Sequence, residues 1–378
     1  MTGSPVSIWG FSTPAMDELF AADGVVSAVL RFEAALALSL SDVGMAPESE
    51  TQAVAAACEV QVGDAEGLLA TTWESGTPLL AIVELIEARL STDDERRWVH
   101  HGSTTQDAID TAYVLLTRDA LGDLEAAVSR LASAMRALVI EHRDQAHMGR
   151  TFLQNALPTT FGLRVAGWLD PMLTHLENLR ETRDGLAVQL GGPVGDLGAF
   201  GENGGAVVAA LAKRLGLEAP VLAWHSDRSR VRAVVNTVDD AVASIAKVAT
   251  DVALLAQSAV GEVTTRAGGS SSMPHKKNPV DAIRALAAAD VCHGAAAMVR
   301  GGRPHELDRS LGSWQAEWAA MPLLFSAASA VIDAGTTLLE SLEVNASAME
   351  SRVGEAPGPD TSVIDSVLDR YERLLGET

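Results

Sequence analysis

The chain has 378 residues and a formal net charge of −22 at pH 7, with 47% hydrophobic and 21% charged residues. This length is enough for a substantial core, and the composition is that of a folded globular protein. The acidic charge argues against binding to nucleic acid or to an anionic membrane, because both require a basic surface. The first residues carry no basic segment followed by an apolar one, and no uninterrupted apolar run approaches about 18 residues, so we expect a cytoplasmic protein.

The sequence has two cysteines, Cys58 and Cys292. Two are too few for a disulfide framework, and their separation is not that of metal ligands. We therefore expect a reducing compartment, no structural metal and no metal at the functional site.

Apolar residues recur at helical spacing along most of the chain, as over 108–121, over 124–140 and after Asp281. Residues 221–260 contain neither Gly nor Pro, and apolar residues there alternate in steps of four and three, which is typical of coiled-coil packing. This seam consists of Val231, Val235, Val238, Val242, Ile245, Ala249, Val252 and Ala256. We predict one helix of about 60 Å over 221–260 and an all-α fold with a central bundle of long helices.

The periodic segments and the polar breaks between them suggest three parts. These are an N-terminal helical domain at 1–100, a central long-helix bundle at 101–345 with a polar loop at 261–279, and a short C-terminal segment at 346–378. The apolar seam is longer than a small domain needs, so we expect neighbouring copies of the chain to cover part of it.

Residues 268–279, GGSSSMPHKKNP, form the densest polar segment. Its glycines allow the backbone to bend or to approach a ligand closely, its serines are potential bases or nucleophiles, and its lysines and asparagine can receive negative charge. A solvated loop between helices would have a similar composition.

Residues 100–112, HHGSTTQDAIDTA, place two histidines before a predicted helix start. Ser103 and Gln106 have the spacing of a capping box, which explains the hydroxyl and amide residues without any function. Capping does not explain His100 and His101, whereas imidazoles beside a helix N-terminus suit a carboxylate ligand.

Two more segments combine glycine, arginine and amides, namely GRTFLQNALPTTFG at 149–162 and HELDRSLGSWQAEW at 305–318. Taken alone, the first is better explained as a capped helix entry. In the second, Trp314 and Trp318 are expected to serve packing.

Taken together, the segments at 100–112, 149–162 and 268–279 resemble the three characteristic regions of the fumarase/aspartase superfamily in order and spacing. The start RFEAALA and the segments QLGGPVGDL and PHELDRSLGSWQAEW are most similar to the 3-carboxy-cis,cis-muconate cycloisomerases within it. The resemblance implies a homotetramer with a 20-helix core, active sites shared between subunits, a small polycarboxylate substrate and no cofactor. Many relatives carry a larger third domain than 346–378 allows.

The resemblance also implies roles for individual residues. Ser270 corresponds to the base of the signature loop, Ser271 is a rival for that role, and Lys276 with the loop N–H groups would activate the serine. The implied substrate ligands are His100, Ser103, Thr104, Thr105, Arg150, Gln154, Asn155, Asn278 and Arg309.

One departure bears on the leaving group. Many lyases of the superfamily have Thr-His in the second region, where the histidine protonates the leaving group, but this chain has Thr151 and Phe152, and Asn155 at the next candidate position. A carboxylate can depart as the anion, so the missing histidine favours a cycloisomerase.

Alternatives remain open at this point. A fumarate-forming C–N lyase acting on nitrosuccinate, adenylosuccinate or argininosuccinate is the second interpretation, and nitrite would leave as readily as a carboxylate. His101 or His275 remain candidate acids, and a catalytically silent helical scaffold is the third interpretation.

Overall fold

The computed structural model describes residues 6–59, 62–269, 273, 276–302, 305–353 and 359–376. Helices dominate this part of the chain, and the strands are short, which confirms the all-α prediction. A short 3-10 helix at Ser7–Trp9 precedes the helices of the first hundred residues, which are α1 (Pro14–Leu19), α2 (Ala22–Asp42), α3 (Glu48–Cys58), α4 (Ala65–Ala70), α5 (Thr72–Ser75), α6 (Leu79–Glu87) and α7 (Asp93–Arg96).

Longer helices follow. They are α8 (Thr105–Glu141), α9 (Phe161–Asp184), α10 (Gly204–Leu215), α11 (Ser229–Ala256), α12 (Val280–Arg300), α13 (Ser313–Glu340), α14 (Ala346–Glu350) and α15 (Ser362–Leu375), with a 3-10 helix at Gly198–Asn203. The main core lies between α8, α9, α11, α12 and α13. The predicted seam of α11 is buried there from Val235 to Val252, and a Cβ on Gly335 of α13 would lie 2.8 Å from Ile245 Cγ2, so these two helices approach closely.

A second core joins the N-terminal helices to the start of α8 and to α10. Phe32 and Leu36 of α2 are fully buried in it, together with Leu115 of α8 and Leu211 of α10. The first turns of α8 therefore pack on the N-terminal helices, while its later turns belong to the central bundle. The division of the chain at residue 100 stays a prediction.

The strands form two-stranded antiparallel pairs. They are β1 (Ala146–Thr151) with β2 (Gln154–Thr160), β3 (Val263–Thr264) with β6 (Glu343–Val344), and β4 (Ala267–Gly268) with β5 (Asn278–Pro279). The β1–β2 hairpin carries an irregularity between Met148 and Arg150, and β4–β5 is the stem of the loop at 261–279.

The predicted helix over 221–260 is wrong at both ends, since α11 covers 229–256. The chain before α11 is held in a non-helical path because Trp224 donates to Gln189 Oε1 and to Val188 O. Asp227 then accepts the backbone N–H of Ser229 at 3.0 Å, which ends the non-helical stretch.

The apolar segments 108–121 and 124–140 belong to one helix, α8. Its capping box also lies one residue later than predicted. Thr104 is the N-cap, and the Asp107 carboxylate accepts from the Thr104 backbone N–H at 2.9 Å.

Among the described helices, three are long and apolar enough to cross a membrane by length and composition, namely α2, α12 and α13. They reach this hydropathy without the uninterrupted apolar run that we sought in the sequence. Within the fold, 61%, 44% and 72% of their most apolar windows are buried, because these helices supply much of the two cores.

Candidate active site

Asp107 organises the polar segment before α8. Its side chain is fully buried, and besides capping α8 it accepts from the backbone N–H groups of Gly191 and Gly192 at 3.0 and 2.9 Å. His225 Nε2 lies 2.6 Å from Asp107 Oδ1. One carboxylate thus fixes the start of α8 against the 191–192 turn and the segment before α11.

His100 is held by a partner from another helix. Glu33 of α2 is buried, with Oε2 accepting from the His100 backbone N–H at 3.0 Å and Oε1 lying 2.7 Å from His100 Nδ1. His100 has φ of 53°, a left-handed conformation that is uncommon outside glycine and that the bond from its N–H to Glu33 helps to maintain. Burial of the ring lowers its pKa, but the charge and hydrogen bond of Glu33 and the charge of Asp107 outweigh burial and raise it.

The hydroxyl residues predicted at this end are half-buried around the helix start. Ser103 Oγ lies 2.8 Å from His100 Nδ1 and 3.3 Å from Nε2, while Thr104 caps α8 and Thr105 is its first residue. His101 stacks at an angle on Trp98, with ring centroids 4.9 Å apart. The structure therefore brings His100, His101, Ser103, Thr104 and Thr105 together at the N-terminus of α8.

A buried charge network lies one turn further along α8. The Arg228 guanidinium donates to both oxygens of Asp110, at 2.7 and 2.9 Å, and also to Glu317 of α13. Trp314 Nε1 donates to Asp110 at 2.9 Å. These two carboxylates raise the pKa of Arg228 against the opposing effect of burial, and a cavity of about 240 Å³ opens beside the network.

Arg309 lies at the same end of the molecule. Its Nη2 donates to Pro193 O at 2.9 Å, next to the turn that Asp107 holds. Arg309 and Asp107 thus both contact the 191–193 turn, which lies beside the start of α8.

The second predicted region lies at the other end of α8, on the β1–β2 hairpin. Arg150 donates from Nη1 and Nη2 to the two oxygens of Glu262, at 2.8 and 2.6 Å. Glu262 is fully buried, and His147 Nε2 lies 3.3 Å from its Oε2. The Arg150 fork is therefore occupied by Glu262 in the isolated chain, and its role as a substrate ligand stays a prediction.

The tip of this hairpin is exposed and apolar. Phe152 and Leu153 have φ of 50° and 63°, and their exposed fractions are 99% and 69%. Gln154 and Asn155 are also exposed and pair across the hairpin with Thr151 and Arg150. A two-residue hairpin turn of this kind needs two positive φ values, and Phe and Leu adopt them at a higher cost in free energy than Asn or Gly would.

Part of the loop at 261–279 lies within the described chain. Lys276 is exposed, and Asn278 is half-buried in the stem, opposite Gly268. A Cβ on Gly268 would lie 2.1 Å from Val280 Cγ1, so a larger residue there would displace the Val280 side chain. Ser270, Ser271 and His275 lie outside the described residues.

The predicted residues do not form one site within a single chain. His100 to Thr105 lie at the start of α8, whereas Arg150 to Asn155 follow its end, and Glu262 ties the beginning of the 261–279 loop to the latter group. The 37 residues of α8 span about 55 Å at 1.5 Å per residue. The chain therefore presents two separate polar ends.

Three carboxylates at these ends were not selected from the sequence, namely Glu33, Asp107 and Glu262. Glu33 could have been found, because it interrupts the buried stripe formed by Val29, Leu36 and Leu40 on α2. Asp107 and Glu262 act on distant residues, which no local pattern reveals. Among the described residues, no group of three His, Cys, Asp or Glu side chains is arranged to hold a metal ion.

The described chain is a bundle of long helices with polar segments at both ends. Comparison with known proteins shows which family of enzymes has this arrangement. The chain belongs to the lyase family, whose model matches residues 11–292. It is 37% identical to the 3-carboxy-cis,cis-muconate cycloisomerase of Pseudomonas aeruginosa over 355 residues, which cover 92% of this chain and 77% of the relative.

The fold agrees with this family. The crystal structure of the 3-carboxy-cis,cis-muconate lactonizing enzyme from Pseudomonas putida superposes with a TM-score of 0.86 at 32% identity, covering 99% of this chain and 88% of that one. The nitrosuccinate lyase of Streptomyces davaonensis is 33% identical over 93% of this chain and 77% of its own length. The resemblance to the fumarase/aspartase superfamily, and within it to the cycloisomerases, is confirmed.

Proposed function

We propose that this protein interconverts 3-carboxy-cis,cis-muconate and the corresponding carboxymuconolactone. The observation that carries the proposal is the 37% identity to a cycloisomerase of that name across 92% of the chain. The superposition on the Pseudomonas putida enzyme supports it at the level of the whole fold.

In the lactone-opening direction, a base removes a proton from the carbon beside a carboxylate. The electron pair forms a C=C bond, the C–O bond of the lactone breaks, and the carboxylate leaves as the anion. Ser270 is the proposed base, with Ser271 as its rival and Lys276 as the charge that activates it. Asn278 is proposed to hold a substrate carboxylate beside them.

The start of α8 is proposed to bind the other carboxylates of the substrate. His100, Ser103, Thr104 and Thr105 combine an imidazole whose pKa is raised by Glu33 with a helix N-terminus, and both features suit an anion. Arg309 flanks the same place, and Gln154 and Asn155 would reach the substrate from the hairpin tip.

The distance between the two polar ends supports shared sites. Because one α8 keeps them about 55 Å apart, a site that uses both ends must take them from different chains. We therefore propose a homotetramer in which neighbouring subunits complete each active site.

The hairpin tip supports a leaving group that needs no proton. Phe152 occupies the exposed position where many lyases of the superfamily carry histidine, and Asn155 lies across the same hairpin. Nitrosuccinate lyase activity meets this criterion too, and this chain is 33% identical to an enzyme of that name, so this activity is the second candidate. The lower identity supports a C–N lyase less well. His101 and His275 remain candidate acids.

The direct test is loss of the ultraviolet absorbance of the conjugated diene when enzyme is added to 3-carboxy-cis,cis-muconate. Ser270→Ala should abolish most of this turnover while the oligomer remains. No absorbance change at micromolar enzyme, together with fumarate release from nitrosuccinate, would transfer the assignment to the second candidate. The cytoplasmic location and the absence of a cofactor stay predictions.

A further inference from the structure

Glu33 places a carboxylate where an apolar residue would otherwise complete the core of α2. Its side chain is 0% exposed, and both of its oxygens are directed to one residue, His100. Since Glu33 binds the backbone and the ring of His100 together, it fixes the position of the residue and the orientation of its imidazole.

The charged groups around this pair favour a cation. Asp107 on α8 adds negative charge near His100, and the effect of both carboxylates on its pKa exceeds that of burial. Cys58 of α3 is also close to Glu33. Burial, together with the charge of Glu33, raises the pKa of this thiol to about 12, so it remains neutral. Arg89 lies beyond Cys58, close enough to lower the pKa of that thiol.

With Nδ1–H donating to Glu33, the second ring donor is Nε2–H. The Nε2 atom lies 3.3 Å from Ser103 Oγ at the N-terminus of α8. The His100 side chain is 20% exposed, so a ligand can approach it. Carboxylate–imidazole pairs orient a ring in this way wherever the other nitrogen must meet a ligand.

We propose that Glu33 is a positioning residue for the reaction, which fixes the imidazole of His100 through its two hydrogen bonds and directs Nε2–H towards a carboxylate of the substrate. This inference rests on the proposed function for the identity of the substrate. It assigns the binding of a polyanion to His100 and the support of His100 to Glu33. Glu33 itself does not touch the substrate.

The first test needs no substrate. In the protein labelled with ¹³C at histidine Cε1, the His100 resonance should titrate above its ordinary value of about 6.5. Glu33→Gln keeps an acceptor for the His100 N–H but removes the charge, and it should lower the proton affinity of His100 about tenfold or more. His100→Asn assigns the resonance.

Asp239→Asn is the matched control. Asp239 is a largely buried carboxylate bound to a different histidine, His293, and to Arg300. The substitution should leave the titration of His100 unchanged. A His100 titration at or below about 6.5 in the wild-type protein overturns the proposal, even if Glu33→Gln does not fold.

The second test separates positioning from a structural defect. At a pH between the His100 titrations measured for the variant and for the wild type, Glu33→Gln should raise KM for the polycarboxylate about tenfold and leave kcat nearly unchanged. The KM should recover when the pH is lowered through the titration of His100 in the variant. A loss of activity that persists below the measured titration of His100 in the variant would show that Glu33 only supports the fold. If the wild-type protein does not convert carboxymuconate, the proposed function fails while the titration still decides the role of Glu33.

Discussion

Arg150 of the hairpin binds Glu262 at the base of the 261–279 loop through two parallel hydrogen bonds, 2.8 and 2.6 Å long. Arg352, just after α14, approaches the same carboxylate at 3.7 Å. One buried side chain thus joins three segments that are distant in sequence. Because the hairpin and the loop both carry predicted site residues, this contact sets their relative position.

Replacing Glu262 by Gln should lower the free energy of unfolding by about 3 kcal/mol, because a buried cation partner is left without its charge. Denaturant unfolding at pH 7.5 measures this change. The control is Asp333→Asn, which breaks the exposed pair with Arg284 and should cost less than about 1 kcal/mol. Equal costs for the two variants would contradict a special role for Glu262.

His147 should make the protein less stable in mild acid. Burial, with the charges of Arg164 and Arg150, lowers the pKa of its imidazole to about 4, despite Glu262. Below about pH 6.5 the unfolded chain therefore binds a proton at His147 that the folded chain does not bind. Up to about 3 kcal/mol of the free energy of unfolding is lost as the pH falls from about 6.5 to 4.

The measurement is the free energy of unfolding across this pH range in wild type and His147→Gln. Glu262, whose pKa is lowered chiefly by Arg150 against the effect of burial, adds its own loss only below about pH 4.5. If the free energy of unfolding of the wild type did not change between pH 7 and 5, His147 would bind its proton equally well in the folded and the unfolded chain.

Arg228→Lys should destabilise the protein by about 3 kcal/mol, because a single ammonium cannot replace a fork that bridges Asp110 and Glu317. Arg230→Lys, two residues further on and exposed, is the matched control and should change stability by less than about 0.5 kcal/mol. If lysine at 228 preserved wild-type stability, the network would not depend on guanidinium geometry.

The hairpin tip should separate stability from activity. Asn-Gly in place of Phe152 and Leu153 suits two consecutive positive φ values and should raise stability by about 1–2 kcal/mol. Turnover of carboxymuconate should fall, because the aromatic ring is lost. Leu153→Gly alone keeps the ring and should retain activity, while full activity of the double variant would remove Phe152 from the proposed site.

Shared sites predict complementation between two inactive variants. His100→Asn changes the start of α8, and Ser270→Ala changes the loop at 261–279, which we propose a different chain contributes to the same site. Mixed tetramers formed by co-expression should then recover activity in about a quarter of their sites. A mixture of His100→Asn with Ser103→Ala should recover none, because both changes affect the same end. No recovery in the first mixture would contradict sites assembled from different chains.

Periodicity predicted the helical class and the buried seam of α11, because apolar spacing reflects burial directly. It placed the start of α11 too early, since Trp224 and His225 are held outside the helix by residues 35 and 118 positions away. The capping box of α8 also lies one residue later than predicted because of contacts with distant residues. Asp107 caps the helix while also serving the 191–192 turn, a contact between segments that are far apart in the sequence.

For the candidate site, the polar segments indicated which residue types matter but not how they are grouped. His100 and Arg309 lie at one end and Arg150 at the other, a division that depends on the path of the chain through the bundle. Glu262 escaped detection because its partner Arg150 is 112 residues away, whereas Glu33 could have been noticed as the one acidic residue in the buried stripe of α2.

The continuity of α8 restricts how this protein can change. One inserted residue in the middle of the helix would rotate its two ends by about 100° relative to each other and shift them by about 1.5 Å. Such a change would turn apolar side chains out of one core and misalign the polar segments on every chain of an assembly at once. Insertions or deletions here should therefore be tolerated only in steps near seven residues, which return the helix to the same face.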